Sequence, residues 1–191
     1  MRIRHSLAPL VLLALVAGTA SAKEIEGVEY PETQSAAGHS LKLVGVGLRT
    51  RWVFNVYTMG VYTASGRKSA GALVNTKEVK FLWLQMKRDV TGKKMAAALE
   101  EGIEKNRGEA GVADLRAEID QLKAMFPKMC KEGVNIGITY IPGDSVIVTS
   151  NAKQRGKVSG AKVDDFAKAL LQIWFGKKPA DKSLKKSVLA D

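Results

Sequence analysis

Arg49 and Tyr57 are the two residues whose types and setting could do chemistry. Arg49 belongs to no basic tract. It follows Gly45-Val46-Gly47-Leu48 in an apolar-rich run from Leu41 to Tyr62. A guanidinium and a phenol hydroxyl at the mouth of an apolar cleft would both donate to a carboxylate, and the guanidinium contact can be bidentate. A ligand with an anionic head and an apolar body suits such a site. Asn55 and Thr58, beside Tyr57 in the chain, are weaker candidates for the same ligand. The alternative is structural, with Arg49 a surface strand residue and Tyr57 part of the core. Spacing does not choose between the two.

Other chemistries find few residues. Cys130 is the one cysteine, so an internal disulfide and a thiolate metal site are both excluded. His39 lies in the turn-like segment Ala36-Ala37-Gly38-His39-Ser40 with no nucleophile elbow beside it, so a catalytic triad is not expected. Gly45-x-Gly47 lacks the third glycine and the following helix that nucleotide binding needs. No metal and no cofactor are expected.

The elements that must position Arg49 and Tyr57 read as two strands, 42–51 and 53–64, rich in Val, Phe, Tyr and Trp. With period two, Leu41, Leu43, Gly45, Gly47 and Arg49 share one face, which runs from bulky to bare to a guanidinium. Glycines there predict the close approach of another element. Along the second strand, Asn55, Tyr57, Met59 and Val61 oppose Phe54, Val56, Thr58, Gly60 and Tyr62. Both faces are largely apolar, which predicts burial on both sides.

Around these, the sequence predicts a first strand over 24–32 and a polar turn over 33–40. A short helix over 70–75 with Ser69 as cap and a strand over 79–86 follow. Thr91 caps a helix to about Asn106, Gly108 to Gly111 breaks it, and a second helix spans 112–125. A β-hairpin turns at Pro142-Gly143-Asp144, and 153–159 adds a further strand. Helices over 163–175, ended by Gly176, and 182–189, capped by Asp181, close the chain. Strands, helices, strands and helices in that order lack a βαβ rhythm. The expected class is α+β, one domain with an antiparallel sheet and helices on one face.

Residues 1–22 read as a signal peptide. Arg2, Arg4 and His5 form the basic region, Leu7 to Ala17 the apolar core, and Ala20-Ser21-Ala22 a cleavage site. The core is too short to span a bilayer. A domain over 23–191, exported to a periplasm or beyond, is expected. The net charge is +11, carried by scattered lysines with no RNA-binding motif. No nucleic-acid partner is expected, and weak contact with an anionic membrane surface is the less remote consequence of that charge.

Gly45-Val46-Gly47-Leu48-Arg49 followed by Val56-Tyr57-Thr58-Met59-Gly60-Val61-Tyr62 resembles the chalcone isomerase family, most of all its exported bacterial branch. The similarity extends more faintly through the helix after Thr91, the hairpin from Gly133 to Thr149 and the helix end from Leu170 to Gly176. The resemblance implies an open-faced β-sandwich, with a large antiparallel sheet, helices on one side and a ligand cleft between. Of the enzymes' polar positions, the arginine matches Arg49, the first threonine falls on Tyr57, and the remaining three fall near Met95, Gly102 and Ala167. Met, Gly and Ala cannot hold a water or orient a phenolate, so no catalytic residue is expected. The Arg-plus-Tyr combination is similar instead to the family's fatty-acid-binding members. It implies Arg49 and Tyr57 on the head group of a fatty acid or similar amphiphilic carboxylate. Two alternatives stand beside this: an intramolecular lyase or isomerase using Arg49 as electrophile, and an envelope interaction protein whose cleft is closed by side chains filling the Gly45/Gly47 face.

Overall fold

A bulge near Val44 decides which side of the sheet receives Arg49. The computed structural model describes residues 22–190, so the signal-peptide expectation falls almost wholly outside the described residues. Strands β1 (Ala22–Ile25), β2 (Val28–Pro31), β3 (Thr33–Ala36), β4 (His39–Arg51) and β5 (Phe54–Thr63) come first. Helix α1 (Ala70–Asn75), β6 (Lys80–Met86) and the short β7 (Val90–Thr91) follow. Helices α2 (Gly92–Asp114) and α3 (Arg116–Met125) lead to β8 (Met129–Cys130), β9 (Asn135–Ile141), β10 (Ser145–Ser150) and β11 (Lys153–Ser159). Helices α4 (Val163–Phe175) and α5 (Lys182–Leu189) end the chain.

The main sheet has seven strands in the order β11-β10-β9-β6-β5-β4-β3, with every neighbouring pair antiparallel. One face buries Met59, Val61, Leu84 and Ile138 against α2, α3 and α4. Helix α4 presents Val163, Phe166, Leu170, Ile173 and Trp174 as its apolar stripe, with Asp164 and Asp165 in the first turn, where the helix dipole favours them. The antiparallel α+β architecture with helices on the sheet is the expected one.

Three local expectations change. The first strand is a hairpin: Glu26 and Gly27 take φ 53 and 70, and β1 folds back on β2. Primed two-residue turns need positive φ at both central residues, so Glu-Gly serves as the corner. The polar segment 33–40 is likewise a strand pair, turning at Ala37 and Gly38 with φ 49 and 78. The break expected from Gly108 to Gly111 is a kink at Gly108 alone, φ 72, within α2.

The β1–β2 hairpin covers part of the sheet's other face. Tyr30 is fully buried, stacks edge-on to Trp83 at 5.2 Å and exchanges a 2.7 Å hydrogen bond with Thr58. Its ring lies where a side chain at Gly60 would stand.

Candidate functional site

Period-two counting puts Leu41 through Arg49 on one face, but the β4–β5 register shifts between Leu43 and Gly45. A bulge adds one residue to one strand and reverses the parity beyond it. Leu41 and Leu43 therefore join the cluster under the hairpin, while Val44 joins the helix-side core. Gly45, Gly47 and Arg49 pair with Val61, Met59 and Tyr57, of which all three belong to the helix-side core. The shared face is split, and the split carries the glycines and Arg49 to the helix side.

Helix α5 lies on that glycine surface. A Cβ at Gly45 would collide with the Val188 carbonyl, and one at Gly47 would come within 2.9 Å of the Leu184 carbonyl oxygen. The helix also completes hydrogen bonding along β4. Ser187 Oγ donates to the Val46 carbonyl at 2.8 Å, and the Thr50 N–H donates to Asp181 Oδ2 at 3.0 Å. Close approach of another element is what glycines in a strand predict; here that element belongs to the chain itself.

Arg49 and Tyr57 are direct cross-strand partners. Tyr57 is 6% exposed, and its oxygen accepts a 2.8 Å hydrogen bond from Trp174 Nε1 of α4. Burial raises the Tyr57 phenol's pKa, against the opposing Trp174 N–H and Arg49 charge, so it is a neutral donor at ordinary pH. Arg49 is partly buried. Its Nη1 lies 3.3 Å from Asp181 Oδ2 and also donates to the Thr50 carbonyl.

Asp181 uses both oxygens. Oδ1 caps α5, accepting from the Ser183 and Leu184 N–H groups at 2.8 and 3.1 Å. Oδ2 takes Arg49 and the Thr50 N–H. Burial alone would raise its pKa, but the Ser183 hydroxyl and the Leu184, Thr50 and Ser183 N–H groups outweigh it and hold the carboxyl down at about 2. The capping role of Asp181 is legible in the sequence; its pairing with Arg49 is not, since the two stand 132 residues apart.

The other expected ligand residues lie elsewhere. Thr58 is fully buried on the opposite face, bonded to Tyr30. Asn55 donates to Glu26 Oε2 of the β1–β2 turn at 3.1 Å. The structure brings Arg49 and Tyr57 together and leaves these two out. Met95, Gly102 and Ala167 are buried in the helix–sheet layer, and a Cβ at Gly102 would stand 2.7 Å from Ile173 Cγ2.

A second cation–tyrosine pair mirrors the first. Lys80 opposes Tyr140 across β6 and β9, at the end of β6 away from Tyr57, which pairs with Met86. It is 1% exposed, with Nζ 5.3 Å from the Tyr140 ring centroid and bonded to the Thr76 carbonyl. Burial pushes its ammonium pKa down, opposed by Glu78. The cavity between Lys80, Leu82, Tyr140 and Leu170 measures about 10 Å³, room for one water.

The crystal structure of the Arabidopsis thaliana fatty-acid binding protein AtFAP1 superposes with a TM-score of 0.66 at 18% identity, covering 88% of this chain and 96% of that one. At that identity the likeness speaks for the fold. A comparison with curated proteins gives no match. The family described as chalcone isomerase-like matches residues 22–190, the whole of the described structure. The bulged Gly-x-Gly-x-Arg strand, its Val-Tyr partner and this match agree, and the chain belongs to the chalcone isomerase-like family.

Proposed function

We propose that this chain is an exported, non-catalytic binding protein for a fatty acid or a similar amphiphilic carboxylate, with Arg49 and Tyr57 on the head group. The observation that carries this is the Arg49–Asp181 contact. The guanidinium at the end of the apolar layer already holds a carboxylate, one belonging to the chain itself. Tyr57 spends its oxygen on Trp174 and keeps its proton for an incoming acceptor. A ligand carboxylate would take the place of Asp181 on Arg49, and its tail would enter the layer between sheet and helices as α5 shifts. Burying about ten methylenes would supply roughly 8 kcal/mol gross before ordering costs, so the clamp sets direction more than affinity. The packed Met95, Gly102 and Ala167 positions support binding over catalysis. That the similar plant protein is described as a fatty-acid binding protein supports the ligand class.

Lipids released from the denatured purified protein, identified by mass spectrometry, test the reading. Wild type should carry a fatty acid that Arg49→Ala lacks. Empty protein in both cases, with no rise in melting temperature on adding fatty acid, overturns it. Mass measurement of the exported product should place its first residue at Lys23; a product that keeps residues 1–22 overturns the processing.

One observation favours the closed-cleft alternative: α5 fills the Gly45/Gly47 surface with Leu184 and Val188. Under that reading fatty acid leaves the stability of wild type unchanged, which the same experiment reports.

A further inference from the structure

The turn between β4 and β5 gathers the most exposed large apolar side chains of the described residues, with Met129 the one other. Trp52 is 91% exposed, Val53 87% and Phe54 54%. Arg51 pairs with Phe54, so Trp52 and Val53 alone form the turn. Two-residue hairpin turns favour Gly, Asn and Asp. This one instead places Trp52 at φ 59, where a bulky side chain is strained. The tip therefore gives up favourable turn chemistry and gains no burial in return. Its flanks are cationic: Arg51 and Arg88 are exposed, and the Arg88 guanidinium lies 4.6 Å from the Phe54 ring centroid.

We propose that the tip formed by Arg51, Trp52, Val53 and Phe54, with Arg88, docks this protein onto a bilayer surface bearing anionic headgroups. Trp, Val and Phe on a protruding hairpin bury apolar area at the headgroup boundary, where an indole ring keeps its N–H wet. Arg51 and Arg88 meet the phosphates of the same headgroups. The net charge of +11, or +9 once residues 1–22 with Arg2 and Arg4 are removed, draws the protein to such a surface. A protein partner would need to offer this convex tip a pocket. A bilayer requires none, and the basic flanks match its charge. The docking is argued from the tip alone and does not depend on the proposed ligand. It would set Arg49, two residues from Arg51, at the lipid side.

The test is co-sedimentation of the purified protein with phosphatidylcholine vesicles, with and without phosphatidylglycerol, alongside quenching of tryptophan fluorescence by lipids brominated on the acyl chains. Wild type should bind the anionic vesicles, more weakly as salt rises, and be quenched. Trp52→Ser with Phe54→Ser should weaken binding about tenfold or more, and Arg51→Glu or Arg88→Glu at least about fivefold each. Because these side chains are exposed, the melting temperature should hold. Trp52→Phe should keep binding and lose most of the quenching, since of the other two tryptophans Trp174 is 1% exposed within the core and Trp83 is packed edge-on against Tyr30 on the sheet, away from the tip. Absence of binding, or equal binding by wild type and the Ser double variant, overturns the proposal. So does lipid-free self-association that Trp52→Ser abolishes, which would make a second copy the partner.

Discussion

Asp181 Oδ2 stands 3.3 Å from Arg49 Nη1, while Oδ1 of the same carboxylate caps α5. One side chain thus starts the last helix and occupies the cation on the sheet beneath it. The geometry makes Asp181 the internal counterpart of any ligand carboxylate, and it makes α5 the element that such a ligand must disturb. The glycine surface under α5 provides shape, and Asp181 provides the polar hold at its first turn.

Opposite effects on binding are expected from the two partners. Asp181→Asn keeps a competent cap but removes the competing charge. It should cost about 2 kcal/mol of stability, because Arg49 loses its counterion in a partly buried setting, and should tighten fatty-acid binding. Arg49→Ala should weaken that binding. Titration of each variant with fatty acid, followed by melting temperature, reads both signs. Weaker binding by Asp181→Asn than by wild type would show that Asp181 helps to build the site and does not compete for it.

Acid should release the same contact. The folded-state pKa of Asp181 is held at about 2, below its ordinary value of 3.8. A carboxyl depressed on folding contributes stability that is complete above its unfolded value and lost as pH falls through the folded one. Stability measured by denaturant titration from pH 5 down to pH 2 should therefore fall by about 2 kcal/mol more in wild type than in Asp181→Asn. Equal slopes would remove Asp181 from the account.

Much of the frame was legible because its signals are local. The Ser69, Thr91 and Asp181 caps, the α4 stripe and the Pro142-Gly143-Asp144 turn all lie within a few residues of what they specify. The bulge near Val44 was not legible, since nothing in Leu43-Val44-Gly45 distinguishes an added residue from a regular pleat. That single residue parted Gly45, Gly47 and Arg49 from Leu41 and Leu43. The partners of the site were hidden for a related reason. Trp174 and Asp181 reach Tyr57 and Arg49 only once α4 and α5 are laid on the sheet, and residue patterns carry no record of which helix lands where. Thr58 is the converse case. Its parity alone separates it from Tyr57, and Tyr30 holds it on the far side.

Gly45→Ala tests whether α5 needs its bare track. The added methyl would run into the Val188 carbonyl, a backbone atom that cannot rotate aside. The helix must lift or tilt, at a cost of about 1–3 kcal/mol as overpacking. Proteolysis near the C-terminus should quicken. Gly71→Ala, in α1 where a Cβ meets nothing within 4 Å, is the control: it should leave proteolysis near the C-terminus unchanged and raise stability by about 0.5–1 kcal/mol, as alanine does in a helix. Equal proteolysis of the two variants would show that α5 accommodates the methyl without moving.

Tyr57→Phe separates the structural from the ligand role of the phenol. Its oxygen is the acceptor for Trp174 Nε1, and Trp174 is 1% exposed, so removing the oxygen leaves a buried donor unpaired. That should cost about 1–3 kcal/mol. Adding Trp174→Phe removes the orphaned donor as well. In a double-mutant cycle the pair should therefore cost less than the sum of the single changes. Ligand binding behaves differently. A fatty-acid head group that takes its hydrogen bond from the Tyr57 proton is weakened by Tyr57→Phe in either background, and Trp174→Phe alone spares it. If both losses follow Trp174 instead, the phenol serves to hold α4 against the sheet, and Arg49 is left as the head-group contact.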